Sequence, residues 1–259
     1  MVRSVLVECL RLIDARIPFA LATVVSARGS VPAKPGARMI VRGDGTIAGT
    51  VGGAGLERQV MERALECMSA GTGGSFPFTL WHRSPGGLDS LCGGSVEIQI
   101  EVVAPRPHLL ICGGGHVGKA LADMSLSLEY FHSIYDERPE FASAERFPAA
   151  RALHSGPASA FLAGFDAAGG WSHVMLCGHS YHVDLEILEA LVPRFDGWIG
   201  VIASAAKRRE MFGALEARGV DAARLARVEC PVGLPIGAVT PPEIAISILA
   251  SIVKSANLR

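Results

Sequence analysis

The sequence shows no excess of charge of either sign. Its 24 lysines and arginines stand against 25 acidic residues, a formal net charge of −1. With no basic block anywhere, nucleic acid is not expected as the main partner. No apolar run approaches the ~20 residues of a membrane span. The first residues, MVRSVLVECLRLIDARIP, are too interrupted by charge for a signal peptide. Six cysteines (Cys9, Cys67, Cys92, Cys112, Cys177 and Cys230) include no C-x-x-C pair. That usage suits free thiols in a reducing cytoplasm rather than a disulfide framework. Walker A, H-E-x-x-H, a Ser-His-Asp order and a paired-carboxylate site are all missing. A chain so poor in acid–base sets is equipped to hold an elaborate anionic molecule more than to transform one.

What is present is a globular protein of 259 residues, 49% apolar and 19% charged. That length buries a sizeable core in one large or two small domains. The most informative stretch runs from His108 to Lys119. An apolar run, Leu109 to Cys112, feeds a G-x-G-x-x-G made by Gly113, Gly115 and Gly118, with His116 inside it. A helical pattern follows, and the next apolar run ends on Asp136, about 20 residues beyond the glycines. In a dinucleotide-binding unit Gly113 permits the tight turn, Gly115 lets backbone approach a phosphate, and Gly118 lets the helix pack on the strand. The helix N-terminus offers N–H groups to an anion. Asp136 suits a ribose 2′-OH and NAD over NADP, which keeps an NAD-dependent oxidoreductase as an alternative reading, although no hydride-transfer partner residues are visible.

The pattern predicts an α/β chain in two parts, an N-terminal α+β domain over residues 1–104 and a Rossmann-like, doubly wound parallel-sheet domain over residues 105–259. The stiff Ala104-Pro-Arg-Pro107 separates them. The first part opens with an amphipathic helix whose apolar face is read as Val5, Leu6, Cys9, Leu10 and Ile13. Strands are expected at 19–26, 38–42, 47–51, 75–80 and 95–103, a loop at 28–36, and a helix at 56–69. In the second part strands near 109–112, 131–135, 151–154, 173–177 and 198–203 alternate with helices. Parallel order would bring the glycine turn, Asp136, the Cys177–His182 loop and Ser204 to one edge, where ligands of open α/β sheets bind. A nearly uncharged last helix, 242–255, must be buried on either domain or in an interface.

Several constellations allow two readings. Cys92, followed by Gly93 and Gly94, presents its sulfur from a loop shared with His82 and Arg83, or simply sits in a tight turn. The Gly49–Glu57 turn, with Gly52, Gly53 and Gly55, makes an anion nest, or carries Glu57 only to stabilise the helix dipole. His179, His182 and Asp184 read as a loose metal pattern, as ligand contacts, or as capping and packing. Ser204 is a cap or part of a phosphate site in which Lys207 is the favoured cation.

With these residues in view, the chain resembles the XdhC/CoxI family of maturation factors for molybdenum hydroxylases. The resemblance spans nearly the whole length. It rests on Ala22–Met39, Gly49–Glu57, Cys92–Glu97, Gly113–Gly118, Cys177-Gly-His179 with Asp184, Gly200–Lys207 and Pro235–Ala245. It implies a cytoplasmic protein that binds molybdenum cofactor (molybdopterin), keeps it while a cysteine desulfurase installs the terminal sulfur, and hands it to xanthine dehydrogenase or a related molybdenum hydroxylase, often as a homodimer. It also implies that the glycine turns hold the cofactor's phosphate, and its nucleotide where present, and that Cys92 contacts molybdenum. Two departures stand out. Ala54 and Gly55 replace the Cys or His that family members often carry in the first glycine turn, and Leu91 replaces the first of two loop cysteines.

Overall fold

A computed structural model describes residues 2–80, 94–165 and 170–257. The chain divides into two compact units, Met1–Pro105 and Arg106–Arg259.

In the first unit the elements are α1 (Val2–Asp14), β1 (Phe19–Gly29), β2 (Arg38–Arg42), β3 (Ile47–Gly49), α2 (Ala54–Ala70), β4 (Gly74–Thr79) and β5 (Gly94–Val103). The strands form one antiparallel sheet in the order β3-β2-β1-β5-β4. Period-two alternation decides what each face buries. Ala20, Ala22, Val24, Met39 and Val41 pack with Leu56, Val60 and Ala64 of α2. Their neighbours Phe19 and Ile40 point the other way, against Val5, Cys9 and Leu12 of α1. Each large side chain so removed from water contributes roughly 1.5–3 kcal/mol.

Two expectations for this unit need correction. The buried stripe of α1 is Val5, Cys9 and Leu12, whereas Leu6, Leu10 and Ile13 of the expected face are exposed at 43%, 62% and 38%. Spacing alone allowed either stripe, and the sheet chose the one that meets Phe19 and Ile40. The 28–36 loop begins two residues later than expected. Strand β1 keeps its pairing with β5 through Arg28↔Ser95 and Gly29↔Gly94 after an irregularity between Val24 and Ser26.

The second unit contains β6 (His108–Cys112), α3 (His116–Leu126), β7 (Phe131–Asp136), β8 (Leu153–Ser155), α4 (Ala158–Ala163), β9 (His173–Leu176), α5 (Tyr181–Leu191), β10 (Trp198–Val201), α6 (Ala205–Ala217), α7 (Ala222–Leu225) and α8 (Pro241–Asn257). All five strands run parallel in the order β10-β9-β6-β7-β8. This is the doubly wound arrangement. Leu110, Val174, Leu176 and Ile199 face α5 and α6. Leu109, Ile111, Ile134 and Met175 face α3 and α8. The strands are buried on both sides, which explains their nearly continuous apolar runs. The final helix lies on this unit, burying Ala245, Ile248, Leu249 and Ile252. Sequence reading missed the short α7 and a 3-10 turn at Pro139–Phe141.

Candidate functional site

The chain builds β6, β7 and β8 outward on one side, then returns to place β9 and β10 on the other. Order therefore reverses between β6 and β9, and a crevice opens beyond their C-terminal ends. A cleft of about 260 Å³ of solvent-open space lies there, lined by Gly113, Asp136, Gly178, His179, Ser180 and Asp184 among others.

Gly113, the first residue of the glycine turn, lines one side. Gly113 adopts φ +123°, which a side chain rarely tolerates. A β-carbon on Gly118 would lie 1.9 Å from the Gly113 carbonyl oxygen, so only glycine lets α3 sit this close to the turn. Gly115 is the N-cap of α3, and among the described residues no side chain caps the helix and a β-carbon there would meet nothing within 4 Å. The first amides of α3 thus remain available to an anion. His116 is exposed at the start of the same helix.

The turn is also clasped by the chain itself. The buried Asp136 carboxylate accepts from the Gly114 N–H at 2.9 Å, from the Arg138 N–H at 3.1 Å, and from the Arg138 guanidinium at 2.9 and 3.1 Å. Burial pushes this carboxyl up, but the Arg138 and Gly114 hydrogen bonds outweigh it and hold the pKa below its ordinary value. Four donors fill the lone-pair positions of a carboxylate, so the expected bond to a ribose hydroxyl has no free acceptor here. Arg146 donates to the Gly114 and Gly115 carbonyls at 2.8 and 3.3 Å. The Phe141 carbonyl leaves no room for a β-carbon on Gly114, and Phe141 lies 3.7 Å beneath the Arg138 guanidinium. Sequence reading missed Arg138, Arg146 and Phe141. An arginine two residues past a strand-end aspartate was a usable signal for the first. No local signal marks the others.

The opposite wall comes from α5. Ser180 is its N-cap, its hydroxyl accepting from the Val183 N–H. Asp184 is therefore free of capping duty, and it is only 2% exposed. Its Oδ2 lies 3.7 Å from the Lys207 ammonium, which also sits over the Tyr181 ring. Its Oδ1 is buried with no hydrogen-bond partner among the described residues. Burial raises this carboxyl to about 6 against the opposing pull of Lys207 and of nearby His179. Lys207 and Ser204 take the places expected at the β10–α6 junction, with Ser204 capping α6 through the Lys207 N–H. The metal reading of His179, His182 and Asp184 falls away. Among the described residues no group of three metal-binding side chains forms, because Asp184 is buried while His182 is exposed on the helix surface.

Cys112 and Cys177 lie at adjacent strand ends, and Cys177 Sγ donates to the Gly113 carbonyl at 3.3 Å. Burial pushes both thiols well up, so neither is a thiolate near neutral pH.

In the first unit Gly52 and Gly53 precede α2, with Gly55 inside its first turn. Glu57 already brings its carboxylate back to them, accepting from the Thr50 hydroxyl and from the Gly53 N–H at 3.4 Å. Gly94 opens β5 opposite Gly29. Cys92, Gly93, Leu91, His82 and Arg83 lie outside the described residues.

Strand order, glycine turn and switch-point cleft define a Rossmann-type binding unit that follows an antiparallel α+β unit in the chain. Family comparison gives the same division. Residues 109–252 match the XdhC Rossmann domain and residues 12–78 match the XdhC and CoxI family. The chain belongs to the XdhC/CoxI family. It is 34% identical over 254 residues to the uncharacterized protein YqeB of Escherichia coli K12, covering 98% of this chain and 46% of that one. It is 27% identical over 161 residues to a Bacillus subtilis 168 protein named as a probable subunit of xanthine dehydrogenase, covering 60% of this chain and 45% of that one. The chain thus spans about half the length of the curated relatives it matches. A crystal structure from Bacillus halodurans, described as a xanthine dehydrogenase, shares the fold with a TM-score of 0.56 at 20% identity, over 97% of this chain and 96% of its own. Among the described residues, no helix is long and apolar enough to cross a membrane.

Proposed function

We propose that this chain is an accessory protein for xanthine dehydrogenase or a related molybdenum hydroxylase. In this reading it binds the molybdenum cofactor, keeps it while a cysteine desulfurase supplies the terminal sulfur, and delivers it. The observation that carries the reading is the switch-point cleft, which is lined by Gly113 and by a buried, half-satisfied carboxylate, Asp184, with the uncapped start of α3 following Gly113 in the chain. A phosphate-bearing heterocycle needs that mixed donor and acceptor set. Names borne by the Bacillus relatives supply the recipient class.

The residues present fit the group. Gly113–Gly118 and the start of α3 would hold its phosphate, with His179 and Lys207 beside the cleft. Cys112 and Cys177, both neutral, supply no thiolate to it. When bound, the cofactor supplies the molybdenum–sulfur centre that the recipient enzyme uses. The protein's own part is to bind, orient and shield it. The Gly52–Gly53 turn would serve an anion only with Glu57 moved aside.

Purified chain, incubated with cofactor and desalted, is expected to retain molybdenum and pterin in equal amounts. Retention no greater than that of an unrelated protein overturns the proposal. Sizing chromatography, alone and with the hydroxylase, checks the expected homodimer and the docking. The doubly wound strand order also favours a dinucleotide. Tight NADH binding by fluorescence, with turnover of a small substrate, would replace the accessory reading with that of an oxidoreductase.

A further inference from the structure

We infer that Asp184 is the recognition carboxylate for the N–H edge of a 2-amino-4-oxopyrimidine ring, the edge shared by pterins and guanine. The inference deepens the proposal that the cleft takes the pterin, and it is tested by a separate route.

The starting point is Oδ1, which is buried without a partner among the described residues. A buried acceptor left unsatisfied costs about 1–3 kcal/mol, so a chain that keeps one at a cleft wall keeps it for a donor that arrives. Asp184 lies on the wall of the cleft beside Gly178 and His179. A β-carbon on Gly178 would stand 3.1 Å from Oδ1, so the glycine keeps a methyl group away from that oxygen.

The neighbours restrict what the donor can be. Lys207 holds its ammonium 3.7 Å from Oδ2, too far for a good hydrogen bond but close enough to repel a second cation. The arriving donor is therefore neutral. Among the described residues Oδ2 meets only this long ion pair and keeps acceptor capacity, so the carboxylate can take two parallel N–H bonds. A 2-amino-4-oxopyrimidine presents two adjacent donors, one on the ring and one on the amino group. Adenine presents an amino group beside a ring acceptor, which faces a carboxylate unfavourably. The raised pKa of Asp184 agrees with this environment, since it leaves the group ionised and poorly solvated near neutral pH. The start of α3, a few residues beyond the Gly113 that lines the cleft, favours an anion. One ligand that is neutral and donating at one end and phosphorylated at the other suits both features.

The test is equilibrium binding of 6-carboxypterin, GMP, IMP and AMP to the full chain, to Asp184→Asn and to Gly178→Ala. Wild type is expected to bind 6-carboxypterin and GMP, with AMP at least about tenfold weaker and IMP, which lacks the amino group, in between. Asp184→Asn should bring the GMP-to-AMP ratio close to one. Gly178→Ala, which leaves the carboxylate in place but crowds Oδ1, should reduce the ratio. AMP bound as tightly as GMP, a ratio unchanged in both variants, or no binding of either probe to wild type overturns the assignment. If Asp184→Asn fails to fold, the wild-type series and Gly178→Ala decide the matter. Molybdenum retention by wild type bears on the accessory reading alone, so the two failures are distinguishable.

Discussion

The buried Asp184 makes a prediction about stability whose sign is opposite to that of most carboxylates. Burial lifts its pKa from 3.8 to about 6 in the folded chain. Between those values the folded state binds more protons than the unfolded one, so its contribution to stability is lost as pH rises through that interval. A shift of this size corresponds to roughly 3 kcal/mol, since one pKa unit is worth about 1.36 kcal/mol. Asp184→Asn keeps the shape and removes the titration. The measurement is the urea midpoint of wild type and variant at pH 4, 5, 6 and 8. At pH 4 the two should lie close together, since wild-type Asp184 is then largely protonated in the folded state. The variant should gain on wild type by up to roughly 3 kcal/mol by pH 8, the opposing pull of Lys207 being already contained in that shift. Parallel profiles, or a wild type that gains on the variant with rising pH, would refute the argument that Oδ1 is buried as an unsatisfied charge.

Asp136 should behave in the reverse sense. Its pKa is held down by Arg138 and Gly114, so it contributes stability above the ordinary carboxylate range that is lost as pH falls. Asp136→Ala, which orphans the Gly114 N–H, should cost about 2 kcal/mol at pH 7 by denaturant unfolding. Gly118→Ala should cost about 3 kcal/mol, because its methyl group meets the Gly113 carbonyl. Gly115→Ala should unfold within about 0.5 kcal/mol of wild type while weakening binding of phosphorylated probes, since its methyl group projects into open space. Cys92→Ala should lower molybdenum retention; unchanged retention and transfer would remove Cys92 from the mechanism.

The Rossmann unit was legible because several weak signals coincide. Glycine spacing, an apolar strand before it and an aspartate after the next strand would each be poor signs alone, and together they located β6, α3 and β7 within a residue or two. Apolar periodicity failed where it was degenerate. α1 carries two overlapping stripes, and only the sheet beneath determines that Leu12 is covered and Leu10 is not. Asp184 stayed open between readings for a different reason. A short acidic residue near a helix start reads as a cap or a first-turn residue; it is in the first turn, and Ser180 takes the cap. Asp136 was rightly placed at the sheet edge, yet its engagement depends on Arg138 and on the Gly114 amide, which only the folded turn brings together. Arg146 reaches the turn from more than 30 residues away, a separation at which sequence carries no pairing signal.

That reach has a kinetic consequence. Arg146 and Asp136 grip the glycine loop from both its carbonyl and its amide side before any guest comes near. The loop therefore need not be tamed during capture, and association is spared the ordering penalty of a slack segment. Ionic strength, more than conformational rearrangement, should then set how quickly a phosphorylated guest is caught.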